Sequence, residues 1–301
     1  MKKIFTLLLA GILTLGLAAC GNSGAPAEPE APAEYPVTVG DFVLNEAPTA
    51  GSIISLTPAI TEMVFDLGYG DLLCGVSQYC DTPAAAAALP KMGSVYTPDL
   101  AAIKASGATV LITSVPLTEA DLIDLQQSGF SILCLARADS VEGIKSNYES
   151  LAKVLGGNVS GKVKSDEVAV RIDNALATAK TTLSALTEPM DATLLIAYPY
   201  QMATGDTLEG RLLTEIGFTC SGALYTDWLY PEDELKALEP DVIFCANADD
   251  VETVAKSYEY KSVAAAKNGK ITKVDFTAFE RQSVRMFDAL MEMASFAVSA
   301  E

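Results

Sequence analysis

The chain contains no histidine among its 301 residues. Histidine is the usual general base near neutral pH and the commonest metal ligand, so its absence excludes Ser-His-Asp and Cys-His hydrolase sites and argues against capture of bare zinc or manganese. No G-x-S-x-G elbow is present either. Cysteine is sparse: beyond Cys20 there are Cys74, Cys80, Cys134, Cys220 and Cys245. Their number is odd and none falls in a C-x-x-C pair, which disfavours zinc fingers and redox motifs, and no disulfide is assigned. Cys134 and Cys245 sit inside apolar strand-like runs and read as buried thiols. Positive charge is also short. Twenty Lys and Arg face 39 Asp and Glu, and the net charge of −19 repels polyanions, arguing against nucleic acid as a partner.

What is present describes a folded, exported protein. Half the residues are apolar and 20% are charged, a globular composition, and the length suits about two domains at roughly 100 to 200 residues each. Lys2 and Lys3 precede an apolar run from Ile4 to Leu15, which gives way to Leu17-Ala18-Ala19-Cys20. These are the charged, apolar and small-residue regions of a secretory signal, and the run is shorter than the about 20 residues a membrane span needs. The ending Leu-Ala-Ala-Cys resembles the bacterial lipobox, which implies that Cys20 becomes the first mature residue and carries lipid. An ordinary signal peptide with an incidental cysteine is the other reading. Gly21 to Pro36, a mixture of Pro, Ala and Glu without apolar period, reads as a disordered tether. Loss of the signal removes two lysines and no acids, leaving 18 basic and 39 acidic residues and a charge of −21. Such a body does not adhere to an anionic membrane by itself.

Beyond the tether, strand-length apolar runs at Ile53 to Leu56, Leu72 to Val76, Val110 to Ile112 and Ile132 to Leu135 alternate with segments of helical period. That alternation predicts an α/β fold with mainly parallel sheets. At Ser55-Leu56-Thr57-Pro58 a capping hydroxyl and a proline at the first helical position predict a strand running straight into a helix. Apolar residues from Val168 to Leu186 at steps of three and four predict one long helix, longer than a compact crossover needs, joining two lobes. The alternation resumes with Leu194 to Tyr198, Val242 to Cys245 and Ile271 to Val274, and a helix from about Ser283 to Ser299 closes the chain. A weak repeat lays Ala101 to Ile112 on Asp233 to Phe244, which suggests similarly built lobes. Gly156 to Lys162 mimics a phosphate loop, but Val163 stands where Ser or Thr is required, so it reads as a helix-ending turn. The expected organisation is a signal peptide at 1–19, lipid anchor and tether at 20–36, an N-terminal lobe at 37–158, a linking helix at 159–188 and a C-terminal lobe at 189–301.

Several blocks carry a resemblance: Ile53-Ile54-Ser55-Leu56-Thr57-Pro58-Ala59-Ile60-Thr61-Glu62, then Gly75 to Pro83, then Leu89-Pro90-Lys91-Met92-Gly93, and Phe279 to Arg285. With the helix-strand elements at Leu100 to Ile112 and Leu235 to Phe244, the chain resembles the substrate-binding lipoproteins of ABC importers for vitamin B12 and ferric siderophores. The resemblance implies two α/β lobes on one rigid helix, capture of a ligand in the cleft between them, delivery to a permease, and no catalysis or cofactor.

Ligands of α/β sheets bind beyond the carboxyl ends of strands, and aromatic residues gather near those ends. Tyr79, Tyr96, Tyr198, Tyr200, Trp228, Phe279 and Arg281 are the candidate ligand-binding residues, with Tyr225 and Tyr230 nearby. Each ring has a second reading as a surface or core side chain. Few arginines are at hand for an anionic ferric siderophore, whereas a corrinoid asks for stacking surface and scattered hydrogen bonds. Cobalamin or a related corrinoid is therefore the first expectation, a ferric siderophore the second, and haem held through tyrosine a further one. The resemblance implies acidic residues that meet permease arginines at the positions of Ala101 and Asp233. Ala101 cannot serve, so Asp99 is the substitute, and Glu232, Asp233 and Glu234 form the C-lobe cluster, which also reads as a solvated helix turn. The protein is expected to be a monomer, lipid-anchored outside the cytoplasm. An exported hydrolase using paired carboxylates and a surface adhesion module are the rival readings.

Overall fold

A computed structural model of the chain describes residues 33–299, so the expected signal peptide, Cys20 and the tether up to Pro32 lie outside the described residues. A short antiparallel hairpin of β1 (Val37–Val39) and β2 (Phe42–Leu44) comes first. Its three-residue strands are too short for alternation to announce them. The alternating part follows as β3 (Ile53–Ser55), α1 (Pro58–Asp66), β4 (Leu73–Val76), α2 (Ala84–Ala87), α3 (Leu100–Ala105), β5 (Val110–Thr113), α4 (Glu119–Gln127) and β6 (Ser131–Cys134). The sheet has the order β4-β3-β5-β6 and every pair is parallel. Its inner strands β3 and β5 are buried along their whole length, which is why they read as unbroken apolar runs. β6 lies at the edge, where Cys134 is exposed, contrary to the expected buried thiol. The other expectation for the thiols holds at Cys245, where burial lifts the pKa to about 12.

α5 (Val141–Gly156) ends at Gly157, whose φ of +87° is open to glycine, and α6 (Ser160–Leu183) starts three residues later. Within the stretch from Gly156 to Lys162, residues 157–159 are thus the turn between the two helices. Twenty-four residues at about 1.5 Å each make α6 roughly 36 Å long. Its buried stripe is Val168, Ile172, Ala175, Leu176, Ala179 and Leu183, packed against α5 and against the final helix. Burying a large aliphatic side chain on that stripe stabilises the fold by roughly 1.5–3 kcal/mol.

The second lobe contains β7 (Asp191–Ala197), β8 (Gln201–Met202), α7 (Leu208–Ile216), β9 (Thr219–Cys220), β10 (Val242–Cys245), α8 (Ala248–Lys256), α9 (Ala264–Lys267), β11 (Ile271–Lys273), α10 (Phe276–Arg281) and α11 (Val284–Val298). The strand order is β11-β10-β7-β8, with β9 on the first residues of β7; all pairs are parallel except β7 with β8. The α3-β5 unit recurs as a 3₁₀ turn at Leu235–Ala237 before β10, so the weak sequence repeat corresponds to equivalent places in two sheets. This is the expected α/β architecture of two mainly parallel sheets joined by one long helix. Among the described residues no helix is long and apolar enough to cross a membrane.

The last four residues of the expected tether are built into the fold. The Glu34 carboxylate accepts hydrogen bonds from the amides of Val159 (2.8 Å) and Ser160 (3.1 Å), capping the start of α6, and the Tyr35 hydroxyl donates to Val154 O at 3.1 Å. Glu34 is an acid at a helix N-terminus, where the dipole and the unpaired amides both favour it. Composition could not show this, because the partner amides lie more than a hundred residues away.

Candidate functional site

In the N-lobe, β3 passes into α1 with two residues between them, so the first turn of α1 opens at the carboxyl edge of the sheet. Ser77 directly follows β4 and Ser114 directly follows β5, at that same edge. Thr57 has the extended backbone of an N-cap, but its hydroxyl makes no capping bond, contrary to the sequence reading. Thr57 is 6% exposed, and its Oγ1 is buried with no partner. Nearby, the chain makes a tight turn in which Ser94 and Thr97 exchange backbone hydrogen bonds of 3.1 and 3.2 Å. Gly93 permits that turn: its φ is +79°, and a Cβ there would lie 2.4 Å from Thr97 O. The turn presents Tyr96, 75% exposed, while Tyr79 stands 60% exposed in the loop after β4.

A cavity of about 350 Å³ is bounded by Leu56, Thr57, Ser77, Tyr79, Ser94, Tyr96 and Ser114 from the N-lobe and by Glu280 and Arg281 from the C-lobe. Its hydrogen-bonding groups are mostly hydroxyls. Arg281 is committed elsewhere: Nη1 lies 2.7 Å from Glu62 Oε1 and 2.6 Å from Asp81 Oδ1. Burial works against the guanidinium's charge, but hydrogen bonds and charge from Asp81 and Glu62 outweigh it and raise the Arg281 pKa above its ordinary value. Arg281 in turn lowers the Asp81 pKa.

The same seam holds the lobes together over a wider area. Ser283 Oγ donates to Glu62 Oε2 at 2.6 Å, Arg137 Nη2 to Glu209 Oε1 at 2.8 Å, and the Val284 amide to Asp66 Oδ2 at 3.2 Å. Burial raises the Asp66 and Glu209 pKa values despite these donors. Among the described residues no group of three or more Cys, Asp or Glu is placed to hold a metal ion.

Of the seven residues named from sequence, Tyr79, Tyr96 and Arg281 are brought together at this cavity. The others are elsewhere. Phe279 is fully buried in the main core, stacked on Phe276 with ring centroids 5.9 Å apart, so the expectation that it grips a ligand is corrected. Trp228 is half-buried and meets Phe276 edge-on at 6.0 Å, next to Asp227, in a stretch where both residues have positive φ. Tyr198 and Tyr200 are half-buried against the smaller C-lobe core, the Tyr198 hydroxyl donating to Glu259 at 2.6 Å. Tyr225 and Tyr230 pack edge-on at 4.7 Å in the same region. Ser77, Ser94 and Ser114 carry weaker sequence signals than the rings; two of them are marked only by following a strand.

Asp99 and Asp233 are both exposed. Asp99 caps α3, accepting from the Ala102 amide at 2.9 Å. The Glu232 to Glu234 cluster precedes a single 3₁₀ turn instead of a full helix, and Glu234 accepts a 2.5 Å hydrogen bond from the Tyr225 hydroxyl.

Comparison with known proteins decides the family, because the periplasmic binding protein pattern matches residues 53–278, from β3 into α10. The chain belongs to the periplasmic binding protein family. Members of this family are substrate-binding transport proteins and not enzymes. The periplasmic binding protein chain is 23% identical to an uncharacterized ABC transporter substrate-binding lipoprotein of Bacillus subtilis over 96% of this chain and 94% of that one. It is also 23% identical to the vitamin B12-binding protein of Vibrio cholerae, over 82% and 89% of the two chains. Among solved structures, the periplasmic heme-binding protein of a Roseiflexus species superposes with a TM-score of 0.68 at 19% identity, over 83% of this chain and 98% of that one.

Proposed function

We propose that the protein is an extracytoplasmic substrate-binding lipoprotein that captures cobalamin or a related corrinoid and delivers it to an ABC importer. The observation that carries this reading is the character of the cavity: exposed tyrosine rings and hydroxyls, with its one arginine already neutralised by two carboxylates. An anionic ferric siderophore asks for uncommitted positive charge, which Arg281 does not supply. A corrinoid offers a flat apolar ring fringed by neutral amides, matched by stacking on Tyr79 and Tyr96 and by scattered hydrogen bonds. The cavity takes one edge of so large a molecule; Tyr198, Tyr200 and Trp228 cover the rest from the C-lobe. The similarity to a vitamin B12-binding protein supports the same choice.

Cys20 is the lipid attachment point, and the tether ends where Glu34 caps α6. The exposed Asp99 and Asp233, one on each lobe, meet arginines of the permease. The protein acts as a monomer.

Haem is the second reading, favoured by one observation: the Tyr79 and Tyr96 phenols are exposed and so open to iron, in a chain without histidine. Thermal melting of the protein lacking residues 1–19 tests the choice. Cyanocobalamin raises the melting temperature and haemin does not; a rise with haemin alone selects the second reading. No rise across corrinoids, haemin and ferric siderophores removes all three ligand readings.

A further inference from the structure

We propose that Thr57 and the first turn of α1 form a notch for a neutral carbonyl oxygen of the captured molecule, of the kind an amide side chain presents. The inference rests on the corrinoid reading and adds to it the part of the protein that reads the ligand's periphery. Three features meet at this point. α1 has nine residues and no side-chain cap. Pro58 has no N–H, and the amides of Ala59 and Ile60 precede the first intrahelical bond, from Thr61 N to Thr57 O at 3.1 Å. Thr57, the residue that should satisfy this end, instead holds a buried hydroxyl with no partner, and Thr57, Pro58 and Ala59 all line the 350 Å³ cavity.

An unpaired buried hydroxyl is costly, and native structures keep few of them. A hydroxyl beside an uncapped helix start is a ready donor, and the helix dipole favours an acceptor there. The surrounding charge decides which acceptor. Glu280 lines the same cavity, while the Arg281 guanidinium is already shared between Glu62 and Asp81. A carboxylate entering here would meet acids without a spare cation, whereas a neutral carbonyl accepts from Thr57 Oγ1 without that penalty.

The test is isothermal titration of the protein lacking residues 1–19, as wild type, Thr57→Val and Thr57→Ser, with cyanocobalamin and with haemin, beside the melting temperature of each without ligand. The expected result is a cyanocobalamin affinity at least fivefold weaker in Thr57→Val and within twofold of wild type in Thr57→Ser. The ligand-free melting temperature of Thr57→Val is then equal to or above that of wild type, because a methyl replaces an unpaired hydroxyl. Equal cyanocobalamin binding by wild type and Thr57→Val overturns the notch and leaves the corrinoid reading intact. Weakened binding of haemin alone, through its carboxylates, overturns the neutral-carbonyl assignment. A wild-type protein that binds neither probe sinks the corrinoid reading and the notch together.

Discussion

Gln282 pairs its side-chain amide with the backbone of Ala138 across the lobe junction, as a neighbouring strand would. Oε1 accepts from the Ala138 amide at 2.9 Å and Nε2 donates to the Ala138 carbonyl at 2.7 Å. Gln282 itself is 3% exposed and adopts a left-handed conformation with φ +53°, which few side chains take without such support. The pairing spans 144 residues of sequence. It fixes how α10, and with it Arg281, meets the N-lobe.

Gln282→Ala removes both bonds and keeps the strained backbone. The variant is expected to lose about 2 kcal/mol in urea unfolding, from two unpaired backbone groups at about 1 kcal/mol or more each. Gln282→Gly loses less, because glycine relaxes the positive φ. Equal losses in the two variants would show that the backbone conformation is not strained.

Arg281→Met leaves the buried Glu62 without its main partner and is expected to cost about 3 kcal/mol. Adding Glu62→Gln should recover a good part of that loss, since the uncompensated charge goes with it. A double variant as unstable as the sum of the two single ones would mean that the pair is not coupled.

How much of this was legible in the sequence depended on element length and on distance. The buried strands β3, β5 and β10 read as apolar runs, and α6 and α11 as periodic stripes, because many residues repeat one environment. β1, β2, β8 and β9 have two or three residues each and leave no period to find. Phe279 misled because a ring in a loop-like stretch looked available; Phe276 and Phe279, three apart in α10, are one core-facing pair. Tyr79, Tyr96 and Arg281 were legible as residues near strand ends, whereas the neutralisation of Arg281 by Glu62 is a contact across 219 residues. Cys134 is exposed because β6 is an edge strand, a fact of strand order that a single run does not encode.

Stability should also depend on pH through the buried carboxyls. Burial raises the folded pKa of Asp66, as it does for Glu209 and Asp191. A raised folded value contributes stability that is fully present below about pH 4 and is lost as pH rises through the folded pKa. Asp66→Asn removes one such titration, so urea unfolding should show a smaller loss of stability as pH rises above about 4 than in wild type. The same loss in both proteins would place the titration elsewhere.

Tyr79→Ala and Tyr96→Ala are expected to leave stability within about 0.5 kcal/mol, since both rings are largely exposed. Each should weaken cyanocobalamin binding by about tenfold, the loss of one stacking contact at about 1–1.5 kcal/mol. Unchanged affinity in both would move the ligand away from this cavity.

Equilibrium dialysis of the protein lacking residues 1–19 against cyanocobalamin, followed by mass spectrometry of the released compound, addresses capture without chemistry most directly. Saturation at one corrinoid per chain and recovery of the compound unaltered are the expected results. Failure to retain it at any concentration, or its release in a chemically changed form, would contradict the account.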